Sequence, residues 1–371
     1  MCYQMKGSIN TRMAFFAPNL AGGGAERIIS ILVRYFSELG YTVDLLLSEK
    51  KGPYLADIPS SVNIIDFKCE KVLYTLPKLV TYLKKKQPDI LFSSQMHVST
   101  IAIWAKYLAR VETKVIIRQP TMLSPKYEKK SWSVKFKQHI FLKTSKLAYK
   151  IVVTSENMAE EFLSFSKLPK KNIEVIYNPV PLEVIRRKSQ DFPKNISFSL
   201  DIPIILGVGR LVDVKGFKSL IKAFHIVKKS VPSQLIILGE GPLRNDLEAL
   251  VKEFNLSEDV HILGFVENPY AYMKLSKVFV LSSLWEGFPN SMVEAMTCGT
   301  AIISTNCEGG ASEILENGKW GTLVAIGDEQ KMASAIIETL KDNKLPDVAK
   351  RVNDFSIEAV CKEYIRIFGV D

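Results

Sequence analysis

No apolar run in this 371-residue chain approaches the roughly 18–20 residues that a membrane-spanning helix needs. The opening stretch, residues 1–12, is polar and lacks the apolar centre of a secretory signal. Cysteine is scarce, with five residues at 2, 69, 298, 307 and 361, none at a Cys-x-x-Cys or other short spacing. Neither a disulfide framework nor a zinc site is suggested. The histidines at 97, 139, 225 and 261 form no ligand cluster, and there is no low-complexity tract or short repeat. Hydrophobic residues make up 47% and charged residues 24%, which excludes a largely disordered chain. What remains is a reduced, cytoplasmic globular protein, with two or three domains at about 100–200 residues each.

Acidic residues are thin in the first half. Residues 1–190 carry 30 Lys and Arg against 15 Asp and Glu, a net +15; residues 191–371 carry 19 against 24, a net −5. Such a split suits two domains that meet different partners. A basic half fits nucleic acid, anionic lipid or a phosphorylated substrate, and composition does not choose among them.

Short apolar runs predict buried strands at Met13–Ala17, Val43–Leu47, Ile90–Phe92, Lys114–Ile117, Ile151–Val153 and Glu174–Ile176. They resume at Pro203–Val208, Gln234–Leu238, Val260–Leu263, Val278–Leu281, Ala301–Ser304 and Gly321–Val324. Helical spacing lies between many of them, as in Ala25–Leu39, Leu76–Lys86, Gly216–Lys229 and Leu243–Phe254. Alternation of this kind predicts an α/β protein with parallel sheets covered on both faces. Six strands in each half give two doubly wound domains; a single eight-fold barrel is disfavoured by the charge break. The break falls near 177–200, where Asn178-Pro179-Val180-Pro181 and a polar stretch with Pro193 read as a linker. The expected boundaries are 1–185, 186–352 and a C-terminal segment 353–371, within which Ile357–Phe368 has amphipathic helical spacing.

Three segments could carry chemistry. Gly22-Gly23-Gly24 follows the first strand and opens a helix, where glycines admit close backbone approach and a helix N-terminus favours an anion. A dinucleotide fingerprint fails there because Arg27 stands where the third glycine belongs, although Asp44 lies at the spacing of a ribose-binding acid. Gly207-x-Gly209-Arg210 with Lys215 sits at the carboxyl end of the second domain's first strand, the edge at which open α/β sheets bind ligands. Arg offers a planar fork and Lys a point charge, together suited to a diphosphate; a solvated pair of cations is the plain alternative. The third segment runs from Trp285 to Met296 and holds Glu286 and Glu294. Ser291-x-x-Glu294 reads as a capping box, which accounts for Glu294 without a ligand but leaves Glu286 and the Gly287-Phe288-Pro289 loop unexplained.

Glu286 and Glu294 form the Glu-x7-Glu pattern of retaining glycosyltransferases of the GT-B fold, and the chain resembles glycosyltransferase family 4, of the kind that builds bacterial surface glycans. The resemblance covers nearly the whole sequence. It includes Gly22–Arg27, Val175–Pro179, Gly207–Lys215, Gly239-Glu240-Gly241-Pro242, Glu286–Asn290, Glu294-Ala295-Met296, Gly309-Gly310-x-x-Glu313 and Gly321–Val324. It implies two Rossmann-like domains facing a central cleft, the first for the acceptor and the second for a sugar nucleotide, with the C-terminal helix crossing back to the first.

The resemblance also implies roles. Arg210 and Lys215 would neutralise the donor diphosphate, helped by Gly22, Gly23 and Gly24. Glu294 would bind the ribose, and Gly264 and Phe265 would contact the base, for which uridine is expected. Glu286, Gly287, Phe288, Pro289 and Asn290 would surround the donor sugar. Many relatives have a His in the first-domain loop after the fifth strand; here Gln119 stands in its place. No Asp-x-Asp metal motif occurs, so a metal-free reaction with a cationic pair is expected, with retention by front-face attack and no protein nucleophile.

Between Lys126 and Lys150 lie eight lysines and one acid, interleaved with Tyr127, Trp132, Phe136, Phe141 and Tyr149. This suits an anionic membrane surface or a lipid-diphosphate acceptor, with Lys129, Lys130, Lys135 and Lys137 as contacts; a solvated helix is the plain alternative. Peripheral attachment to the cytoplasmic face follows. No nucleic-acid module is recognisable. A non-catalytic sugar-nucleotide-binding subunit is the competing function, and it would be expected to lose part of the Arg, Lys and Glu set.

Overall fold

The computed structural model describes residues 11–123, 131–193, 198–342 and 348–370. The chain forms two compact units. One takes residues up to Pro179 together with those from Ile357 onward, and the other takes Val180–Ser356.

In the first unit the strands are β1 (Arg12–Ala17), β2 (Thr42–Leu47), β3 (Asn63–Asp66), β4 (Ile90–Ser94), β5 (Lys114–Arg118), β6 (Lys150–Val153) and β7 (Ile173–Val175). They form one parallel sheet in the order β3-β2-β1-β4-β5-β6-β7. The helices between them are α1 (Gly24–Glu38), α2 (Leu76–Lys86), α3 (Met96–Ala109), α4 (Trp132–Ser145) and α5 (Glu156–Ser166). Alternate β1 residues Met13, Phe15 and Ala17 pack with Ile28, Leu32 and Phe36 of α1, as period-2 strands under a period-3.6 helix require.

Seven strands stand here where the apolar runs predicted six. The added β3 is an edge strand whose residues are only half-buried or exposed, so it lacks the continuous run that marks its neighbours. Asn63 within it donates to Asp44 Oδ1 at 2.9 Å. Asp44 Oδ2 accepts from Arg12 at 2.8 Å and Tyr82 at 2.5 Å, so this buried carboxylate is a structural tie and not a ribose ligand.

The second unit holds β8 (Ile204–Val208), β9 (Gln234–Leu238), β10 (Val260–Gly264), β11 (Val278–Leu281), β12 (Trp285–Glu286), β13 (Ala301–Thr305), β14 (Glu308–Gly309) and β15 (Thr322–Val324). Six of them form a parallel sheet ordered β10-β9-β8-β11-β13-β15, and β12 pairs with β14 alone. Its helices are α6 (Leu182–Lys188), α7 (Phe217–Lys228), α8 (Arg244–Glu253), α9 (Pro269–Leu275), α10 (Asn290–Thr297), α11 (Ala311–Ile314), α12 (Glu329–Lys341) and α13 (Ala349–Asn353). The expected linker therefore contains a helix. Leu182 and Ile185, one turn apart, are buried, and α6 packs on α9 and α10. That packing draws the crossing to Pro179–Val180, ahead of the 185/186 boundary.

The last helix, α14 (Ile357–Phe368), joins the first unit's core through Val360, Tyr364, Ile365 and Phe368. Phe368 stacks on Phe36 with ring centres 5.2 Å apart. The outgoing and returning segments run side by side: Val180 and Ser356 form a parallel bridge, and Val180 N donates to Phe355 O at 2.8 Å.

Candidate active site

In each sheet the strand order reverses at one place, between β1 and β4 and between β8 and β11. The loops leaving such a pair diverge and open a crevice at the carboxyl edge. Gly22–Gly24 follow β1, Gly209, Arg210 and Lys215 follow β8, and Glu286 follows β11.

After β8 the chain passes Gly209 and Arg210 and makes a 3₁₀ turn over Asp213–Lys215. Lys215 Nζ donates to Glu286 Oε1 at 2.5 Å, and Ser283 Oγ donates to the same oxygen at 2.7 Å. Glu286 Oε2 is left without a hydrogen-bond partner among the described residues. Ser282 Oγ donates to Lys215 O at 2.8 Å and Leu284 N to Val214 O at 2.8 Å, so the two loops are tied along their backbones as well. The Lys215 side chain is 22% exposed and uses one of its three N–H groups on Glu286. Arg210 is exposed and makes no ion pair among the described residues. Burial first, and then the charge of Glu286, push the nearby Cys307 thiol up to about 12, so it stays protonated.

Two glycines make this close approach. Gly216 has φ +64°, and a Cβ there would lie 2.0 Å from Ser282 O; Gly309 has φ +109°, and its Cβ would lie 1.5 Å from Glu286 O. Phe288 is buried against Phe355, with ring centres 5.6 Å apart. Gly287, Pro289 and Asn290 lead into α10. The expected capping box does not form: Pro289 is the N-cap and α10 already begins at Asn290, so Ser291 lies inside the helix. A helical residue lacks the extended backbone of an N-cap. Glu294 thus sits in the second turn, not the first, and is 6% exposed. Gly264 ends β10 with φ +80°, and Phe265 beyond it is 79% exposed.

In the first unit Gly22, Gly23 and Gly24 are exposed, with Gly23 as the N-cap of α1. Glu26 folds back over them, its Oε2 2.3 Å from where a Gly23 Cβ would stand. Gln95 Nε2 holds that carboxylate by donating to Oε1 at 2.8 Å. Gln95 has φ +78° and ψ 140°, a backbone that costs a non-glycine residue about 1–3 kcal/mol. Its own N–H donates to Arg118 O at 3.1 Å. Gln119 is buried, and its Nε2 donates to Thr121 O at 2.7 Å and Thr121 Oγ1 at 3.4 Å, leaving Oε1 unpartnered among the described residues. Lys135 and Lys137 are exposed on α4; Lys129 and Lys130 lie outside the described residues.

Family comparisons also divide the chain in two, with their break within α6. The family described as "Glycosyltransferase Family 4" matches residues 22–184 and that described as "Glycosyl transferases group 1" matches residues 188–353. A Campylobacter jejuni N-acetylgalactosamine-N,N'-diacetylbacillosaminyl-diphospho-undecaprenol 4-alpha-N-acetylgalactosaminyltransferase is 30% identical, over 90% of this chain and 91% of that one. The chain belongs to the family 4 glycosyltransferases. Another relative of this glycosyltransferase is a Rhizobium meliloti lipopolysaccharide core biosynthesis glycosyltransferase, 26% identical over 94% of this chain and 96% of the other. Among solved structures, Anabaena HepE in complex with UDP-glucose superposes with a TM-score of 0.80 at 18% identity, covering 96% and 99%. The fold of the glycosyltransferase is therefore GT-B.

Sequence reasoning brought Lys215 and Glu286 to one site but as separate contacts, and it missed Ser283 and Gln95. Ser283 carries a faint signal, as a hydroxyl three residues before the glutamate. Gln95 carries none, because a left-handed φ at glutamine has no local sequence signature.

Proposed function

We propose that this glycosyltransferase moves a hexose or N-acetylhexosamine from a UDP-sugar, with retention and without a metal, to a hydroxyl of a lipid-linked glycan in surface polysaccharide assembly. The Lys215–Glu286 pair at the reversal of the second sheet, with exposed Arg210 in the same loop as Lys215, is the observation that carries this reading. Arg210 and the two free N–H groups of Lys215 meet the diphosphate. Glu286 Oε2 accepts from a hydroxyl of the donor sugar, Glu294 holds the ribose, and Gly264 and Phe265 receive the base. Gly22–Gly24 give backbone contacts to the nucleotide.

The bond from the anomeric carbon to the departing phosphate oxygen breaks as the acceptor oxygen attacks from the same face. The acceptor proton passes to the departing diphosphate. The protein supplies position and charge, which together account for rate enhancements of this type. HepE has been crystallised with UDP-glucose, and the Campylobacter relative is named for a diphospho-undecaprenol acceptor, which favours uridine and a lipid-linked glycan here. Such an acceptor brings the enzyme to the cytoplasmic face of a membrane, with Lys135 and Lys137 toward anionic lipid.

A thermal-shift panel of sugar nucleotides, followed by mass spectrometry of products on a lipid-linked acceptor, tests this. A UDP-sugar should raise Tm and be consumed in the presence of EDTA. Loss of turnover with EDTA and its return with manganese would defeat the metal-free mechanism. Nucleotide binding without any transfer would favour a non-catalytic subunit.

A further inference from the structure

Helix α4 is docked only by its second half. Gln138, Phe141, Thr144 and Ser145 are buried, whereas residues 131–137 are exposed apart from a half-buried Val134. On this projecting half Trp132 is 79% and Phe136 52% exposed. Four residues apart, their rings lie stacked, 5.6 Å between centres and 10° between planes, forming one apolar plate. Exposed aromatics of this size, stacked on each other, are the informative exception on a protein surface.

Charge says what covers the plate. Between Trp132 and Ser145 there is no Asp or Glu, and Lys135 and Lys137 flank the rings. Aromatic rings with lysines and no acids match the boundary between anionic headgroups and acyl chains. Place agrees with charge. In a parallel sheet each helix starts at the carboxyl edge, so the beginning of α4 shares that edge with Gly22–Gly24 and Gln95. Lys137 is near enough to His97, at the start of α3, that partial burial and then the lysine charge lower the imidazole pKa.

We infer that Trp132 and Phe136 insert into an anionic bilayer as a hydrophobic plate, while the lysines only capture the surface. The inference rests on the membrane reading of the preceding section and adds a second, salt-resistant stage to it. Lysine contacts act through a field that reaches about 8 Å at physiological salt and roughly 3 Å at 1 M, whereas ring burial is not screened.

The test is co-sedimentation with vesicles of phosphatidylglycerol and phosphatidylcholine in equal parts, at low salt and at about 1 M salt. Trp132→Ala/Phe136→Ala should keep its Tm and its low-salt capture but lose high-salt retention, with about a tenfold weakening for each ring removed. Lys135→Glu/Lys137→Glu should lose low-salt capture. Of the four tryptophans, only Trp132 should be quenched by brominated lipid, judged by comparing wild type with Trp132→Phe. If both ring and wild-type proteins bind alike at every salt, the plate does not insert, although lysine-dependent capture stands. If no form binds, the membrane reading fails as well. If sedimentation velocity shows a wild-type dimer that the ring variant abolishes, the plate is a protein interface and the inference is overturned.

Discussion

Lys215 and Glu286 are 71 positions apart in the chain and 2.5 Å apart at Nζ and Oε1. Each holds the other in place, at what we propose is the donor site. Lys215→Ala should lower turnover by about 10²–10³, the scale for one preorganised electrostatic donor. It should also lower Tm, because the nearly buried carboxylate keeps only the Ser283 hydroxyl. Lys215→Ala/Glu286→Gln should regain most of the Tm and none of the turnover. Additive losses of Tm in the double variant would show that the pair is not coupled.

Glu294→Gln separates a ligand from a cap. With Ser291 inside α10, no capping box is lost, and UDP affinity should fall roughly tenfold or more, as for a charged hydrogen bond. Because Glu294 is buried, Tm reports the loss of its own contacts and affinity reports the loss of a ligand. Isothermal titration and melting on one preparation check both, and a changed Tm with unchanged affinity would make the residue structural.

Gly309→Ala should be severe. Its Cβ would meet Glu286 O at 1.5 Å, and the neighbour is backbone. Gly299 has φ +79° with nothing within 4 Å, so Gly299→Ala is the matched control, limited to about 1–2 kcal/mol. Denaturant melts should show Gly309→Ala losing well beyond that control.

Gln95→Gly relieves a strained backbone and frees Glu26. Stability should hold or rise, while donor affinity and catalytic efficiency fall together, because Glu26 lies over the glycines proposed to contact the nucleotide. A fall in Tm would mean that the Gln95–Glu26 contact outweighs the strain.

Glu174 joins β7 to β6 and α14: Lys150 reaches Oε1 at 2.5 Å and Arg366 reaches Oε2 at 3.0 Å. Desolvation would raise its pKa, but the two cations win and lower it. A depressed carboxylate stabilises the fold above its unfolded pKa of about 4.3, and that contribution is lost as pH falls through the folded value. Glu174→Gln should therefore melt below wild type at pH 7, with the gap closing in acid. A gap independent of pH would assign the loss to packing.

Most strands were legible because parallel strands buried on both faces are written as continuous apolar runs; Gln234–Leu238 and Val278–Leu281 have the predicted limits. The edge strand Asn63–Asp66 was not, since a half-exposed strand need not be apolar. Prolines 179 and 181 resembled a linker because their punctuation is local, whereas Leu182 and Ile185 are buried by helices distant in sequence. Motif spacing singled out Lys215, Glu286 and Glu294 as candidates. It could not say that the first two pair, or that Pro289 would displace the cap.

The bridge between Val180 and Ser356 has a consequence for biosynthesis. Among the described residues the second unit is drawn from Val180–Ser356 alone, and that stretch can fold as soon as Ser356 has left the ribosome. The first unit begins earlier but lacks Val360, Tyr364, Ile365 and Phe368 until α14 emerges. The usual order of vectorial folding, in which the leading domain finishes first, is therefore reversed. Until α14 emerges, the seven-stranded sheet waits with Phe36 and Phe92 uncovered by Tyr364 and Phe368.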